Sequence, residues 1–211
     1  MKPMDKWLMR SLMMFLGAIA VVMLSGITPG PANIKILIGL VALVVGIELL
    51  RSNGSLFSSG LGLTPASARH ILYGLGFAVT ALGLIAATAL AMGASFQFIN
   101  ASDPRIVDAA MTFSLVSIAS ASVNEELFFR GPIFTSIEER FNSSVAVGVS
   151  SVLFGLAHSF NPGASPIAIL NVTIAGGLFG IMVVKTRTLW MAMSFHASWN
   201  LLTATFFGSV S

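Results

Sequence analysis

The sequence is poor in two features that most soluble proteins contain, cysteine and charged side chains. The absence of cysteine excludes disulfides, thiolate zinc sites, cysteine-ligated iron–sulfur clusters and a cysteine nucleophile. Charged residues make up only 9% of the 211 residues, against about 25% in ordinary soluble domains. Hydrophobic residues make up 55%. We therefore expect an integral membrane protein, surrounded by membrane lipid and without a separate soluble domain.

The basic residues are dispersed along the chain. The formal net charge is +3 and the pI is near 9.8, but these side chains stand singly at the ends of apolar segments, which argues against a nucleic-acid partner. Under the positive-inside rule they predict a cytoplasmic amino terminus. Most basic residues then face the cytoplasm, and only Lys35 and Arg105 face outward. The cytoplasmic set is Lys2, Lys6, Arg10, Arg51, Arg69, Arg140, Lys185 and Arg187.

The apolar segments predict an all-α bundle of about seven transmembrane helices, with six or eight as alternatives. Residues 1–211 are expected to form this single membrane domain. The first span lies between Arg10 and Lys35; its basic start resembles a signal peptide, but no small-residue cleavage site follows, so we predict that it is retained. The other spans are predicted at 34–50, about 71–93, from about 106, twice between 141 and 184, and at 189–207.

Two local signals mark helix boundaries within this pattern. Thr64 can cap a helix whose first turn contains Pro65. The stretch NPGASP at 161–166 contains two prolines and a glycine, which predict a turn or a re-entrant bend between the fifth and sixth spans.

A few strongly polar side chains are predicted to lie well inside the spans. They are Glu125, Glu126, Arg130, His158, His196 and Asn200. A charged residue at the centre of a membrane helix costs about 3 kcal/mol on insertion scales, so such residues usually serve a function. Glu126 and Arg130 are four residues apart and can neutralise each other on one helix face. Glu125 is rotated roughly 100° away from that face and has no obvious local partner.

These residue types suit the hydrolysis of a peptide bond by water. A carboxylate shielded from water is a better base than an exposed one, so Glu125 is a candidate general base. His196 and Asn200 are also four residues apart, and together they can donate hydrogen bonds to a developing oxyanion. His158 can orient the water beside Glu125. The alternative is that the histidines and the asparagine only join helices and that Glu126–Arg130 is a packing pair.

Three short motifs in the order of a known family strengthen the catalytic interpretation. EELFFR at 125–130, FGLAH at 154–158 and HASWN at 196–200 resemble the EExxxR, FxxxH and HxxxN motifs of the CPBP intramembrane proteases. This family includes the CAAX prenyl endopeptidase and bacteriocin-processing or self-immunity proteins. The segment from 106 to 207 carries the three motifs.

The resemblance implies a role for each matching residue. Glu125 would activate water with help from His158, whereas His196 and Asn200 would stabilise the oxyanion and Glu126 with Arg130 would support the site. The implied substrate is a membrane-associated protein or peptide, without any requirement for a prenyl group. We expect a prokaryotic cytoplasmic membrane as the location; the oligomeric state does not follow from the sequence.

The family is described as metalloprotease-like, so zinc or another divalent metal is an open alternative. Glu125, His158 and His196 would be its ligands, because two histidines and a glutamate occur in some catalytic zinc sites. The helical HExxH signature is absent, and the same residues can activate water unaided. We therefore do not expect a required metal.

The predicted depths of these residues test whether they can meet. If the fourth helix leaves the membrane near Ile133 or Phe134 and the fifth enters near Ala146, the helical rise places Glu125, His158, His196 and Asn200 between roughly 12 and 18 Å deep. Residues 136–141 would then form an interfacial segment. Two other function classes stay open: a non-catalytic membrane scaffold or self-immunity factor of the same fold, and an ion or proton transporter.

Overall fold

The computed structural model describes residues 60–95, 118–161 and 163–207, and every regular element within these ranges is helical. The all-α prediction is therefore confirmed for this part of the chain. The predicted first and second spans and the start of the fourth lie outside the described residues. The helices are α1 (Pro65–Ala91), α2 (118–128), α3 (Phe134–Arg140), α4 (Ser143–Ala157), α5 (Pro166–Thr186) and α6 (Trp190–Phe207).

Three helical stretches of the described part are long and apolar enough to cross a membrane: Pro65–Ala91, Ser143–Phe160 and Pro166–Thr186. They correspond to the predicted third, fifth and sixth spans. Helix α6, predicted as the seventh span, is not among them because polar side chains such as His196 and Asn200 lower its mean hydropathy. The total of seven spans stays a prediction.

The predicted boundary signals are found where helices begin. Thr64 has an extended backbone conformation and occupies the cap position of α1, with Pro65 in the first turn; the Thr64 amide donates a hydrogen bond to Ser67 Oγ at 3.0 Å. This helix begins six residues before the predicted span at 71. The break predicted at 161–166 separates α4 from α5, and Ser165 caps α5 by accepting a hydrogen bond from the Ala168 amide.

Helix α2 does not stop at the predicted membrane exit near Ile133; the chain bends there and continues as α3. A π-helical turn, Phe129–Ile133, joins the two helices, and Gly131 has a non-helical ψ of −112°. Pro132 lacks an amide hydrogen, so a regular α-helix cannot pass through this point without losing a hydrogen bond. The predicted interfacial segment 136–141 falls largely within α3.

Contacts between polar side chains bring several basic residues to one end of the helices. Arg187 Nη1 lies 2.9 Å from Glu138 Oε1, and His70 Nδ1 lies 3.0 Å from Thr188 Oγ1. These contacts place the neighbouring Arg69 and Arg140 at the same end as Arg187. The side of the membrane on which these residues lie stays a prediction.

Close packing of α1 on α6 depends on Gly74. A β-carbon at this position would overlap the Met191 carbonyl oxygen and approach the Phe195 amide nitrogen to 2.8 Å, whereas one at Gly76 would meet no atom within 4 Å. Both glycines lie in α1, so they form a matched pair. The helices can approach this closely only because position 74 has no side chain.

We expect Gly74→Ala to destabilise the protein and Gly76→Ala to leave its stability unchanged or slightly raised. Overpacking of a close contact costs about 1–3 kcal/mol, whereas alanine in a helix interior gains about 0.5–1 kcal/mol over glycine. Thermal unfolding of both variants in detergent micelles measures the difference. Equal melting temperatures for the two variants would contradict the α1–α6 packing described here.

Candidate functional site

The centre of the site is a buried glutamate that contacts two cationic or protonatable side chains. Glu126 Oε1 accepts hydrogen bonds from Arg130 Nη1 at 3.3 Å and from His196 Nδ1 at 2.9 Å. The side chains of Glu126 and Arg130 are fully buried, and His196 is 6% exposed. The predicted pairing of Glu126 with Arg130 is confirmed. The contact with His196, 70 residues away, joins α2 to α6.

The Arg130 guanidinium lies in a pocket that is formed by aromatic rings and a backbone carbonyl group. Its Nη2 donates to the Gly176 carbonyl at 2.8 Å, and its guanidinium carbon lies 4.5 Å from the Phe154 ring centroid and 5.2 Å from that of Phe179. A β-carbon at Gly176 would lie 3.1 Å from Nη2, so glycine leaves the space that the guanidinium needs. Aromatic faces and a carbonyl both favour a buried cation.

Glu125, the residue before Glu126 on α2, lies close to both histidines. Its Oε2 lies 3.7 Å from His158 Nε2 and 3.8 Å from His196 Nε2. These separations exceed direct hydrogen-bond lengths, and they allow one water molecule to bridge the three side chains. The Glu125 side chain is 34% exposed and that of His158 is 21% exposed, whereas Glu125 Oε2 itself is buried and has no hydrogen-bond partner among the described residues.

Each histidine is oriented through its Nδ1 atom. His158 Nδ1 donates to the Phe154 carbonyl at 2.9 Å, because a carbonyl can only accept. His196 Nδ1 donates to the Glu126 carboxylate in the same way. The His196 ring also stacks on Phe179, with centroids 4.8 Å apart and an interplanar angle of 20°. Both Nε2 atoms are therefore directed toward Glu125.

The charges of the buried cluster nearly balance. With Glu125 and Glu126 ionised and Arg130 protonated, the net charge is −1 when both histidines are neutral. One proton on a histidine makes the cluster neutral, which reduces the cost of burying it.

Asn200 belongs to a neighbouring contact between the same two helices. Its Nδ2 donates to Ser122 Oγ at 3.1 Å, one helical turn beyond the Glu126–His196 contact. The described contacts do not join Asn200 to Glu125 directly. Asn200 and His196 nevertheless share one face of α6, as their spacing predicts.

A metal ion was one alternative from the sequence. In the part of the chain that the structure describes, no three His, Cys, Asp or Glu side chains have an arrangement that could hold a metal ion. The chemical types of Glu125, His158 and His196 suit zinc, so the test of function below includes a chelator. No step proposed below uses a metal.

The structure brings together five of the six residues singled out from the sequence and places Asn200 next to them. His158 directly follows the last residue of α4 and begins a 3-10 turn, His158–Phe160, within the candidate span Ser143–Phe160; its depth in the membrane stays a prediction. Sequence analysis missed Ser122 and Gly176. For Ser122 there was a signal: it precedes Glu126 by one turn, just as Asn200 follows His196 by one turn.

A known protein family matches the segment of the chain that contains the candidate site. Residues 107–202 match the family described as type II CAAX prenyl endopeptidase, Rce1-like. This match confirms the family resemblance. The Rce1-like segment contains all six polar residues of the candidate site and also Ser122 and Gly176.

A curated relative supports the same assignment at modest similarity. The chain is 29% identical over 95 residues to "Putative membrane peptidase YdiL" of Bacillus subtilis (strain 168). The alignment covers 45% of this chain and 37% of that protein, so the chain spans little more than a third of the relative's length. No solved structure matches the chain. The Rce1-like match, this relative and the apolar helices together support an integral membrane protein.

Proposed function

We propose that the protein is an intramembrane endopeptidase that hydrolyses peptide bonds with a water molecule activated by Glu125. The observation that carries the proposal is the convergence of His158 Nε2 and His196 Nε2 on Glu125 Oε2, within 3.7 and 3.8 Å. A carboxylate beside two ring nitrogens in a partly enclosed site has the groups that are needed to bind, deprotonate and direct one water molecule.

In the proposed reaction the water oxygen bonds to the carbonyl carbon of the substrate while its proton passes to Glu125. His158 holds the water, and its Nδ1–H bond to the Phe154 carbonyl keeps its Nε2 directed toward the site. The carbonyl oxygen becomes an oxyanion. The carbon–nitrogen bond then breaks, and the leaving nitrogen takes up the proton from Glu125. No bond forms between the substrate and the protein.

His196 and Asn200 would stabilise the oxyanion. Because His196 Nδ1–H donates to Glu126, its Nε2 can donate only when the ring is an imidazolium. The Glu126 carboxylate at 2.9 Å is the counterion for this form. Glu126 is therefore a positioning residue for His196, and Arg130 supports Glu126. The sequence interpretation gave Glu126 and Arg130 a supporting role only.

The substrate proposed is a membrane-associated protein or peptide, because the carboxylate lies among helices of membrane-spanning composition. A prenyl group is not required by any contact described here. We further propose the cytoplasmic membrane of a prokaryote as the location, with the site reached from the cytoplasmic side.

Purified protein reconstituted in lipid and incubated with a mixed library of membrane peptides tests the proposal. We expect new peptide termini by mass spectrometry, unchanged cleavage in the presence of a chelator, and no covalent adduct in the intact mass of the protein during turnover. An acyl adduct would instead indicate a nucleophilic side chain, and loss of cleavage with chelator would indicate a metal.

The two remaining function classes predict different results in the same preparation. A scaffold or self-immunity factor would produce no cleavage and would keep its cellular effect without Glu125. A transporter would produce no cleavage but would move protons or ions across the vesicle membrane, and this flux would stop on substitution of Glu125.

A further inference from the structure

Ser122 is a buried hydroxyl that contacts the proposed oxyanion residue Asn200. Its side chain is fully buried. Ser122 Oγ lies 2.9 Å from the Ile118 carbonyl oxygen and 3.1 Å from Asn200 Nδ2. It lies on α2, one turn before Glu126, and the proposed reaction gives it no role.

The hydrogen-bond count at Ser122 fixes the orientation of the Asn200 amide. A hydroxyl has one hydrogen to donate, and the Ile118 carbonyl, which can only accept, takes it. Ser122 Oγ can then only accept from Asn200. In this arrangement the atom of Asn200 that faces Ser122 is the amide nitrogen, because Oδ1 in its place could bond only if the hydroxyl left the Ile118 carbonyl.

This orientation decides what Asn200 can present to a substrate. The Nδ2 group has two hydrogens, of which Ser122 takes one, so the second is available to an oxyanion. If the amide rotated by half a turn, Oδ1 would take the place of Nδ2 and would repel an oxyanion.

We propose that Ser122 is a positioning residue that holds Asn200 in its donating orientation for oxyanion stabilisation, an inference that rests on the proposed peptidase function. The arrangement parallels the neighbouring contact, in which Glu126 holds His196. Two successive turns of α2 thus orient two successive turns of α6. Each oxyanion donor has its own acceptor on the opposing helix.

The test compares kcat and KM of Ser122→Ala with those of the unmodified protein, on the peptide that the unmodified protein cleaves fastest in the library. We expect kcat to fall about tenfold with KM unchanged, because disorientation costs less than the roughly 10²–10³-fold loss caused by removing an oxyanion donor. Ser122→Thr retains a hydroxyl that can bond the same carbonyl, and we expect it to restore most of the lost kcat.

The matched control is Ser150→Ala. Ser150 is also fully buried and also bonds a carbonyl of its own helix, that of Val147 at 3.3 Å. Ser150→Ala removes a buried hydroxyl oxygen, as Ser122→Ala does, but this oxygen does not contact Asn200. We therefore expect kcat to stay within about twofold of the unmodified protein. A similar loss in both variants would assign the Ser122 effect to general destabilisation and would overturn the inference.

A double substitution separates positioning from structural support, even if Ser122→Thr fails to fold. In an Asn200→Ala background Ser122 has nothing to orient, so adding Ser122→Ala should leave kcat unchanged. An additional tenfold loss in that background would overturn the inference.

The failure of the inference and the failure of the proposed function give different results. If Glu125→Gln abolishes cleavage and Ser122→Ala cleaves like the unmodified protein, the peptidase proposal stands and the inference is wrong. If the unmodified protein cleaves no peptide of the library, or Glu125→Gln cleaves normally, the proposed function is wrong and the inference falls with it.

Discussion

Replacement of Glu125 by glutamine is expected to lower peptide cleavage by roughly 10²–10⁴-fold, the usual contribution of a positioned general base. Glutamine has nearly the same shape, but its amide cannot accept the proton of the attacking water. The substitution should not unfold the protein, because the Glu125 side chain is 34% exposed and lies outside the Glu126–Arg130 pair. The measurement is the cleavage rate in lipid together with the melting temperature of each variant.

Glu139→Gln is the matched control for this result. Glu139 lies on the exposed surface of α3, so the same change of charge and shape occurs away from the site. We expect its cleavage rate and melting temperature to equal those of the unmodified protein. Cleavage by Glu125→Gln at the rate of the Glu139→Gln control would mean that another residue is the base.

The second large effect is expected from Arg130→Met, and it concerns stability. Removing one partner of a buried ion pair leaves an uncompensated charge and typically costs roughly 3–5 kcal/mol. Here the loss would leave Glu126 buried without its cation and the Gly176 carbonyl without its Arg130 donor. Unfolding in detergent micelles should occur at markedly lower temperature or denaturant concentration than for the unmodified protein.

Removing the charges of both Glu126 and Arg130 should restore most of the stability that Arg130→Met loses. We expect Glu126→Leu combined with Arg130→Met to be more stable than Arg130→Met alone, because apolar pairs often replace buried ion pairs at little cost. Cleavage should remain low in the double variant, since His196 then has no carboxylate to orient it. A double variant less stable than Arg130→Met would contradict the charge-pair explanation.

Arg187→Met provides the exposed comparison for this pair of variants. Arg187 is 67% exposed and also bonds a glutamate, Glu138. Water screens such a pair, and we expect its loss to cost about 1 kcal/mol or less. A cost comparable to that of Arg130→Met would show that burial is not the source of the Arg130 effect.

The sequence allowed prediction of those parts of the site that depend on spacing within one helix. Four-residue separation predicted the Glu126–Arg130 bond and the common face of His196 and Asn200, because helical periodicity alone decides both. The start of α1 and the break between α4 and α5 also followed from local signals, a capping threonine and a proline-rich turn.

The predicted depths and the motifs placed Glu125, His158 and His196 near one another, but the particular contacts between helices depend on how the helices pack and did not follow from the sequence. Glu125 had no local partner in the sequence. Its neighbours are His158, at the end of α4, and His196, on α6. Glu126 was assigned only to Arg130, since nothing along one helix points to a histidine 70 residues away. The bend at Gly131 was also missed, although the Gly-Pro pair there is a known cause of helix kinks.

The Glu126–Arg130 ion pair joins residues that are close in the chain, and this affects how the nascent chain enters the membrane. Glu126 and Arg130 lie four residues apart in the chain, so they can pair as soon as this stretch becomes helical, before α4 to α6 have been synthesised. The pair lowers the charge that the nascent segment must carry into lipid. Glu125, by contrast, can contact His158 only after α4 has been synthesised and His196 only after α6 has been synthesised. Under the proposed function, Glu125 therefore has both histidine partners only once α6 has been added, and a nascent chain without α6 would not cleave peptides.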